Sequence, residues 1–283
     1  MIARRTHQLT PETLADGLRT RRVARRIICL PEVDSTNTYA LQTLAATEGP
    51  AADGTVVFAE HQTAGRGRLG RAWHAPAGAS LLMTILLWEA PDSRSPAYWM
   101  MAAAVSVVRG IEQTTDLDPQ IRWPNDVYLS GRKVAGILVE VRRPGLGRAA
   151  PSATASNTNG SAFVAIGIGV NCLQHAGHFP AELRQQATSL EMASSHPVDR
   201  VAVARALLQA LDDVLNDRAH GHVARLRTAW TAHSGDIGTS TTLLCDGRQF
   251  RGRIADVHPE HGLLLQLETG ARRHFDPATT SRL

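Results

Sequence analysis

The stretch that most limits what this chain can become runs Arg122-Trp123-Pro124-Asn125-Asp126-Val127-Tyr128-Leu129-Ser130-Gly131-Arg132-Lys133-Val134-Ala135-Gly136-Ile137-Leu138. Val127 and Leu129 on one side, and Val134, Ile137 and Val139 on the other, are strand formers, with the turn pair Ser130-Gly131 between them. The pattern predicts a β-hairpin. Pro124 disfavours helical geometry at Trp123, so the first strand starts or bends there. Asn125-Asp126 stand at the strand entrance, where short polar side chains either close an Asx turn or hold a ligand. Residues 135–141 form the second strand and read as a buried central one. The hairpin carries Lys133, the only lysine in 283 residues; the other 29 strong bases are arginine. Arginine is a planar fork that keeps its proton, whereas lysine is a compact point charge on a flexible stem. A site that must follow one small anionic oxygen suits lysine; the alternative is chance in an arginine-biased chain.

A second cationic segment lies upstream. Residues 55–60 predict a strand that runs into His61-Gln62-Thr63-Ala64-Gly65-Arg66-Gly67-Arg68-Leu69-Gly70-Arg71-Ala72-Trp73. Glycines let the backbone approach a ligand closely. Arg66, Arg68 and Arg71 could neutralise a carboxylate and a phosphate together. RNA-binding Arg-Gly segments occur as repeats, whereas this single copy sits between the strands predicted at 56–60 and 81–88. A mobile but structured anion-binding loop is expected.

Two further polar groups could face the same region. Asp34-Ser35-Thr36-Asn37-Thr38 precede a helical pattern at 39–46, either as a plain N-cap cluster or as hydroxyls and amides lining a pocket. Residues 162–171 predict a strand pairing with 135–141. Gly167 and Gly169 share one face of it, bare enough for a flat ligand. Asn171 at its end could bond a nucleotide or simply close a turn.

The rest is scaffolding. Thr10-Pro11-Glu12-Thr13 predict a helix start, with the helix ending near Arg22. Residues 1–28 hold seven arginines against Glu12 and Asp16, a net +5, while the remainder is near neutral. This is a basic arm, too short for a helix-turn-helix with its own core. Core helices are expected at 96–113, 198–216 and 223–232. Residues 143–161, rich in Gly, Pro, Ser and Asn, predict a disordered surface loop. From residue 234 the texture changes to short strands at 241–245, 249–256, 263–268 and 272–275, as in a small β-barrel.

Composition excludes several classes. The apolar run at 81–88 is too short to span a bilayer. No secretory signal is visible. Cys29, Cys172 and Cys245 are widely spaced, which argues against a disulfide framework and for a reducing, cytoplasmic setting. The twelve histidines show no familiar metal-ligand spacing, so no protein metal site is expected.

Together and in this order, these motifs resemble the biotin protein ligase family over roughly residues 29–283: Asp34 to Asn37, Glu60 to Arg71 with Trp73, Arg122 to Asp126, Lys133 to Leu138, and Gly167 to Asn171. Arg122 departs from the commoner family lysine but keeps the charge. The resemblance is to the short form, without the N-terminal DNA-binding domain of repressor-type members. It implies an α/β catalytic domain of the class II aminoacyl-tRNA synthetase and biotin synthetase type, a mixed sheet with flanking helices, at 29–234. A C-terminal SH3-like β-barrel would follow at 235–283. It implies that biotin and MgATP give biotinyl-5′-AMP, and that the biotinyl group passes to a lysine of the biotin carboxyl carrier domain of acetyl-CoA carboxylase. The implied catalytic residues are Lys133 and Arg68. Ser35, Thr36, Asn37, Gln62, Gly65, Arg66, Gly67 and Gly136 would join them around biotin, with Ser35, Thr36 and Gln62 on the ureido ring. Arg71, Trp73, Asn125, Asp126 and Asn171 would serve ATP, Asn125 and Asp126 with its magnesium. Monomer or homodimer is compatible, and no specific DNA binding is expected. The rivals are a lipoate or octanoyl protein ligase, which needs a long apolar tunnel, and a nucleic-acid-binding protein using the arm and barrel.

Overall fold

The computed structural model describes residues 8–90, 95–143 and 160–283. The disordered loop expected at 143–161 therefore falls almost entirely outside the described residues, as do the arm's first two arginines.

The chain opens with α1, Pro11–Ala15, capped by Thr10. The helix stops seven residues before Arg22 because Gly17 turns the chain at φ +71°. The backbone at 21–23 is tied down by other means. The buried Asp212 accepts hydrogen bonds from the backbone N–H groups of Arg21, Arg22 and Val23, each at 2.8 Å. Arg22 pairs with Asp53 and Glu89, both at 2.7 Å. One carboxylate thus replaces the missing helix ladder. Asp212→Ala would strand up to three donors, and an unsatisfied buried donor costs about 1–3 kcal/mol. We expect a loss on the order of 3 kcal/mol in urea unfolding, against little change for an exposed acid such as Asp213.

Next come β1, Arg26–Val33, and a helical run made of α2, Thr36–Thr38, a π-helical segment, Tyr39–Leu44, and α3, Ala45–Glu48. After these stand β2, Thr55–Gln62, β3, Ser80–Glu89, and the long α4, Pro96–Thr114. The hairpin region gives β4, Gln120–Arg122, β5, Asp126–Leu129, and β6, Arg132–Arg142. The Trp123–Pro124 peptide bond is cis. Ser130 and Gly131 both have positive φ, which matches the right-handed strand twist in a tight hairpin. β7, Ala162–Asn171, pairs antiparallel with β6 as expected. The remaining helices are α5, Leu190–Ala193, α6, Arg200–Ala219, and α7, Val223–Ala232.

These strands make one seven-stranded sheet in the order β1-β2-β3-β7-β6-β5-β4. Only β1 and β2 are parallel, so the sheet is mixed. Its two faces alternate along β7. Val164, Ile166, Ile168 and Val170 of β7 face the large core with α4 and α6. Phe163 and Ala165 face the opposite side, under Ala40, Leu41 and Leu44 of the 36–48 helical run. That run covers only half of its face, and the uncovered half, continuing along β7 through Gly167, Gly169 and Asn171, is where the cavity lies.

A second, five-stranded antiparallel sheet completes the chain, in the order β11-β10-β9-β8-β12. Its strands are β8, Ser240–Cys245, β9, Arg248–His258, β10, Gly262–Leu267, β11, Arg272–Phe275, and β12, Thr280–Arg282. β12 and β4 are too short to show in the sequence pattern. The sheet is pinned to the first one: Asp236 accepts from Trp123 N at 2.9 Å and pairs with Arg282 at 2.5 Å. No helix among the described residues is long and apolar enough to cross a membrane.

Candidate functional site

A cavity of about 620 Å³ opens on the uncovered half of the first sheet. Every residue of the implied biotin and ATP sets lines it except Gly65, whose C=O accepts from Trp73 N–H in closing the loop; Asp34 and Thr38 of the polar cluster do not line it. Arg68 and Lys133, from two separate segments, share this cavity.

The 63–73 loop is more ordered than its glycines suggest. Gly67 N–H donates to Arg71 O at 2.7 Å, and Trp73 N–H donates to Gly65 O at 2.9 Å. Leu69 and Gly70, both at positive φ, turn its tip. Arg68 leaves this small hairpin to reach two other elements. Its Nη1 donates to Asn125 Oδ1 at 3.1 Å, and its Nη2 to Thr280 O at 2.6 Å and to Pro277 O. Burial pulls the Arg68 guanidinium below the usual arginine range; Asp126 opposes that and Arg71 adds to it.

Lys133 owes its direction to a β-bulge. Counting in twos from Gly136 would send Val134 to the cavity and Lys133 to the core. The register shifts between Val127 and Tyr128, and the parity reverses. Val134 is fully buried in the core, and Lys133 lines the cavity. Bulges commonly re-aim side chains in this way beside sites. Lys133 Nζ lies 2.6 Å from Asp126 Oδ1. Its backbone is clamped to the far wall, N–H to Gln186 O at 2.7 Å and O from Thr188 N–H at 2.9 Å.

At the inner end a connected polar network replaces the simple N-cap cluster. Gln62 Oε1 accepts from Thr36 N–H at 2.8 Å and lies 3.1 Å from Thr36 Oγ1. Thr84 Oγ1 lies 2.8 Å from Thr36 Oγ1 and donates to Asn37 Oδ1 at 2.6 Å. Asn37 Nδ2 donates to Glu140 at 2.7 Å, and Arg66 donates to the same carboxylate at 2.8 Å. Ser35, Thr36 and Asn37 are buried; a polar set held this tightly in a half-apolar cavity can discriminate hydrogen-bonding ligands.

The bare glycine face is not bare. A Cβ built on Gly169 would lie 2.6 Å from Trp73 Cε2, and one on Gly136 2.9 Å from Trp73 Cζ3. The indole itself is the flat group lying there. Its Nε1 is buried and finds no hydrogen-bond partner among the described residues. Gly167 faces Asn37 instead, where a Cβ would fall 2.4 Å from Oδ1. Asn171 spends its amide on the protein, donating to Thr188 O and accepting from Gln174, both at 3.0 Å.

The Biotin/lipoate A/B protein ligase family model matches residues 29–150. The chain is 31% identical to the biotin--[acetyl-CoA-carboxylase] ligase of Mycobacterium tuberculosis, over 88% of this chain and 85% of that one. It is 30% identical to the bifunctional ligase/repressor BirA of Bacillus subtilis, over 97% of this chain and 79% of that protein. The chain belongs to the biotin protein ligase family. Among solved structures, the biotin protein ligase from Aquifex aeolicus in complex with biotin and ATP aligns with a TM-score of 0.72 at 26% identity, covering 92% of this chain and 99% of that one.

For a member of this family, several residues of the site have no counterpart in the sequence-derived set. Glu140 and Thr84, which stand behind the cavity lining as partners of Asn37, Arg66 and Thr36, had a signal: each is a lone polar residue in an apolar strand, in phase with Gly136 and Leu138, and with Leu82 and Leu86, respectively. Phe179, Leu183, Gln186 and Ala187 form a wall from a segment without periodicity. Ser281, Arg282 and Leu283 arrive from the second sheet, which only folding brings near.

Proposed function

We propose that this ligase adenylates biotin with ATP and passes the biotinyl group to a lysine of a carboxylase's biotin carboxyl carrier domain. The observation that carries this reading is the convergence of Arg68 and Lys133 on a cavity whose inner end is the Thr36–Gln62–Thr84–Asn37 network. A lipoate or octanoyl chain would put methylenes against that network and leave its polar groups unsatisfied, so the rival ligase is disfavoured.

In the first step a biotin carboxylate oxygen attacks the α-phosphorus and pyrophosphate departs. Two anions must meet, and Lys133, Arg66 and Arg68 would offset their repulsion and stabilise charge on the transferring oxygens. Lys133 and Arg68 would hold the carboxylate and then the acyl phosphate. Ser35, Thr36, Asn37 and Gln62 would take the ureido ring, with Gly65, Gly67 and Gly136 letting backbone and ligand approach. Arg71, Trp73, Asn125, Asp126 and Asn171 would form the nucleotide side. Because the Asn171 amide is already committed, it would act there by holding the 171–188 wall. Magnesium would accompany ATP, and an ion that comes with its nucleotide needs few protein carboxylates. Asp126 fits, and the ion would supply neutralisation of phosphate charge. In the second step the carrier lysine's amine attacks the acyl carbon and AMP leaves. Closed over the anhydride, the 65–73 loop would exclude water.

The wider assignments rest on the same reading. Residues 29–234 would be the catalytic domain, with 1–28 a basic arm and 235–283 an SH3-like barrel built on the five-stranded sheet. The three free cysteines fit a cytoplasmic setting. A monomer or homodimer without operator binding completes the proposal.

Thermal melting with biotin or lipoate tests the assignment. At a hundredfold excess over Kd, biotin should add about 2.7 kcal/mol, a shift on the order of 5 °C for a chain of this size. A shift with lipoate and none with biotin would reverse it. Glu140→Ala tests the polar network. Asn37 loses its anchor and Arg66 its partner, so KM for biotin should rise roughly tenfold, the scale of one charge-assisted hydrogen bond, with kcat less affected.

A further inference from the structure

We propose that the turn between β9 and β10 binds a divalent transition-metal ion of the zinc, cobalt or nickel class, through His258, Glu260 and His261, with His274 of β11 as a fourth donor. The sequence His258-Pro259-Glu260-His261 has no familiar metal-site spacing, and the turn plays no part in the cavity. Folding gathers its side chains. One ligand atom from each of His258, Glu260 and His261 lies within 4.8 Å of the others. The His258 and His261 rings stack at 4.7 Å and 15°. The His274 ring meets His261 edge-on at 5.5 Å, brought there by the β10–β11 pairing.

The backbone beneath them is fixed while the side chains are not. Pro259 is buried, and its carbonyl accepts from Ser95 Oγ, the cap of α4, at 3.0 Å. Gly262 closes the turn at φ +73°, so tightly that a Cβ would lie 2.2 Å from Phe275 O. Glu260, His261 and His274 are exposed, so a change of rotamer meets solvent and not packed core. A tetrahedral ion with bonds of about 2.1 Å spaces its donors by about 3.4 Å, within reach of such rotations. His258 Nδ1 now accepts a long 3.2 Å bond from Glu260 N–H, which a metal–nitrogen bond would replace. Three imidazoles and one carboxylate suit borderline ions; magnesium and calcium prefer all-oxygen sets. The ion would join the β9–β10 turn to β11, two residues before Pro277, whose carbonyl receives Arg68.

The test uses the full chain without an affinity tag, stripped by chelator. Cobalt is titrated and followed by its visible ligand-field bands, and zinc by calorimetry. We expect one ion per chain and a higher Tm on loading. The double variant His258→Ala, His261→Ala should lose the bands. His274→Ala should weaken binding by roughly tenfold or more, the scale of losing a supporting contact. A control variant, His175→Ala with His178→Ala, removes the other close histidine pair, whose rings lie 3.5 Å apart, and should bind as the parent does. Metal-free Tm values equal to the parent's show that the variants are folded. Absence of saturable binding, or binding kept by the 258/261 variant and lost by the 175/178 variant, overturns the proposal.

Discussion

Lys133→Ala is expected to abolish adenylate formation in practice, slowing pyrophosphate release by on the order of 10³-fold or more, the scale of losing one preorganised charge-stabilising contact. Two effects add. The transferring oxygens lose their point charge, and Asp126 loses its 2.6 Å partner in the same cavity. The fold should survive, because the clamps on Lys133 to Gln186 and Thr188 use backbone atoms. Lys133→Arg should rescue poorly: the space between Asp126 and the Trp73 indole, 5.6 Å from Nζ, suits a point charge better than a fork. Pyrophosphate release and melting temperature, measured together, check this. A near-normal rate from a folded Lys133→Ala enzyme would remove lysine from the chemistry.

Arg68→Gly should have the second largest effect, of a different kind. Arg68 ties the 63–73 loop to Asn125 and to the carbonyls of Pro277 and Thr280. Hydrogen bonds to a charged group contribute about 1.5–3 kcal/mol each. Losing even one or two should speed escape of the acyl-adenylate by on the order of 100-fold. The freed anhydride then acylates whatever amine it meets. The ligase is a poor target for itself, since its only lysine is Lys133. An added lysine-rich bystander protein is therefore the reporter. Mass spectrometry should find biotin on many bystander lysines with the variant and few with the parent enzyme. Labelling confined to the carrier lysine would mean that the loop does not retain the intermediate.

Much of this site was legible because local chemistry is written locally. The Ser130-Gly131 turn, the alternation along 162–171 and the Gly-Arg loop each depend on neighbours within a few residues. Even Glu140 and Thr84 could have been found by carrying the period of two along their strands. Other features were hidden for physical reasons. The helix at Pro11 stops at Ala15, where Gly17 turns the chain, and the backbone near Arg22 is held instead by a carboxylate some 190 residues away that accepts from the N–H groups of Arg21 and Arg22. The glycine face was expected to be open, and Trp73 covers it, since nothing local says where an indole on a loop will rest.

Sequence alone determined which residue types meet: one lysine, three arginines of a glycine loop, an Asn-Asp pair and a cluster of small polar groups, on strands whose pairing their apolar pattern dictates. Tertiary structure decided which way they point. Lys133 reaches the cavity only because a bulge reverses the pleat before it, and Arg68 is held by carbonyls of a second sheet that begins more than 170 residues later. Periodicity reports the face of a regular strand, but a parity shift and a long-range contact are set by the energy of the whole packed core, which no short window contains.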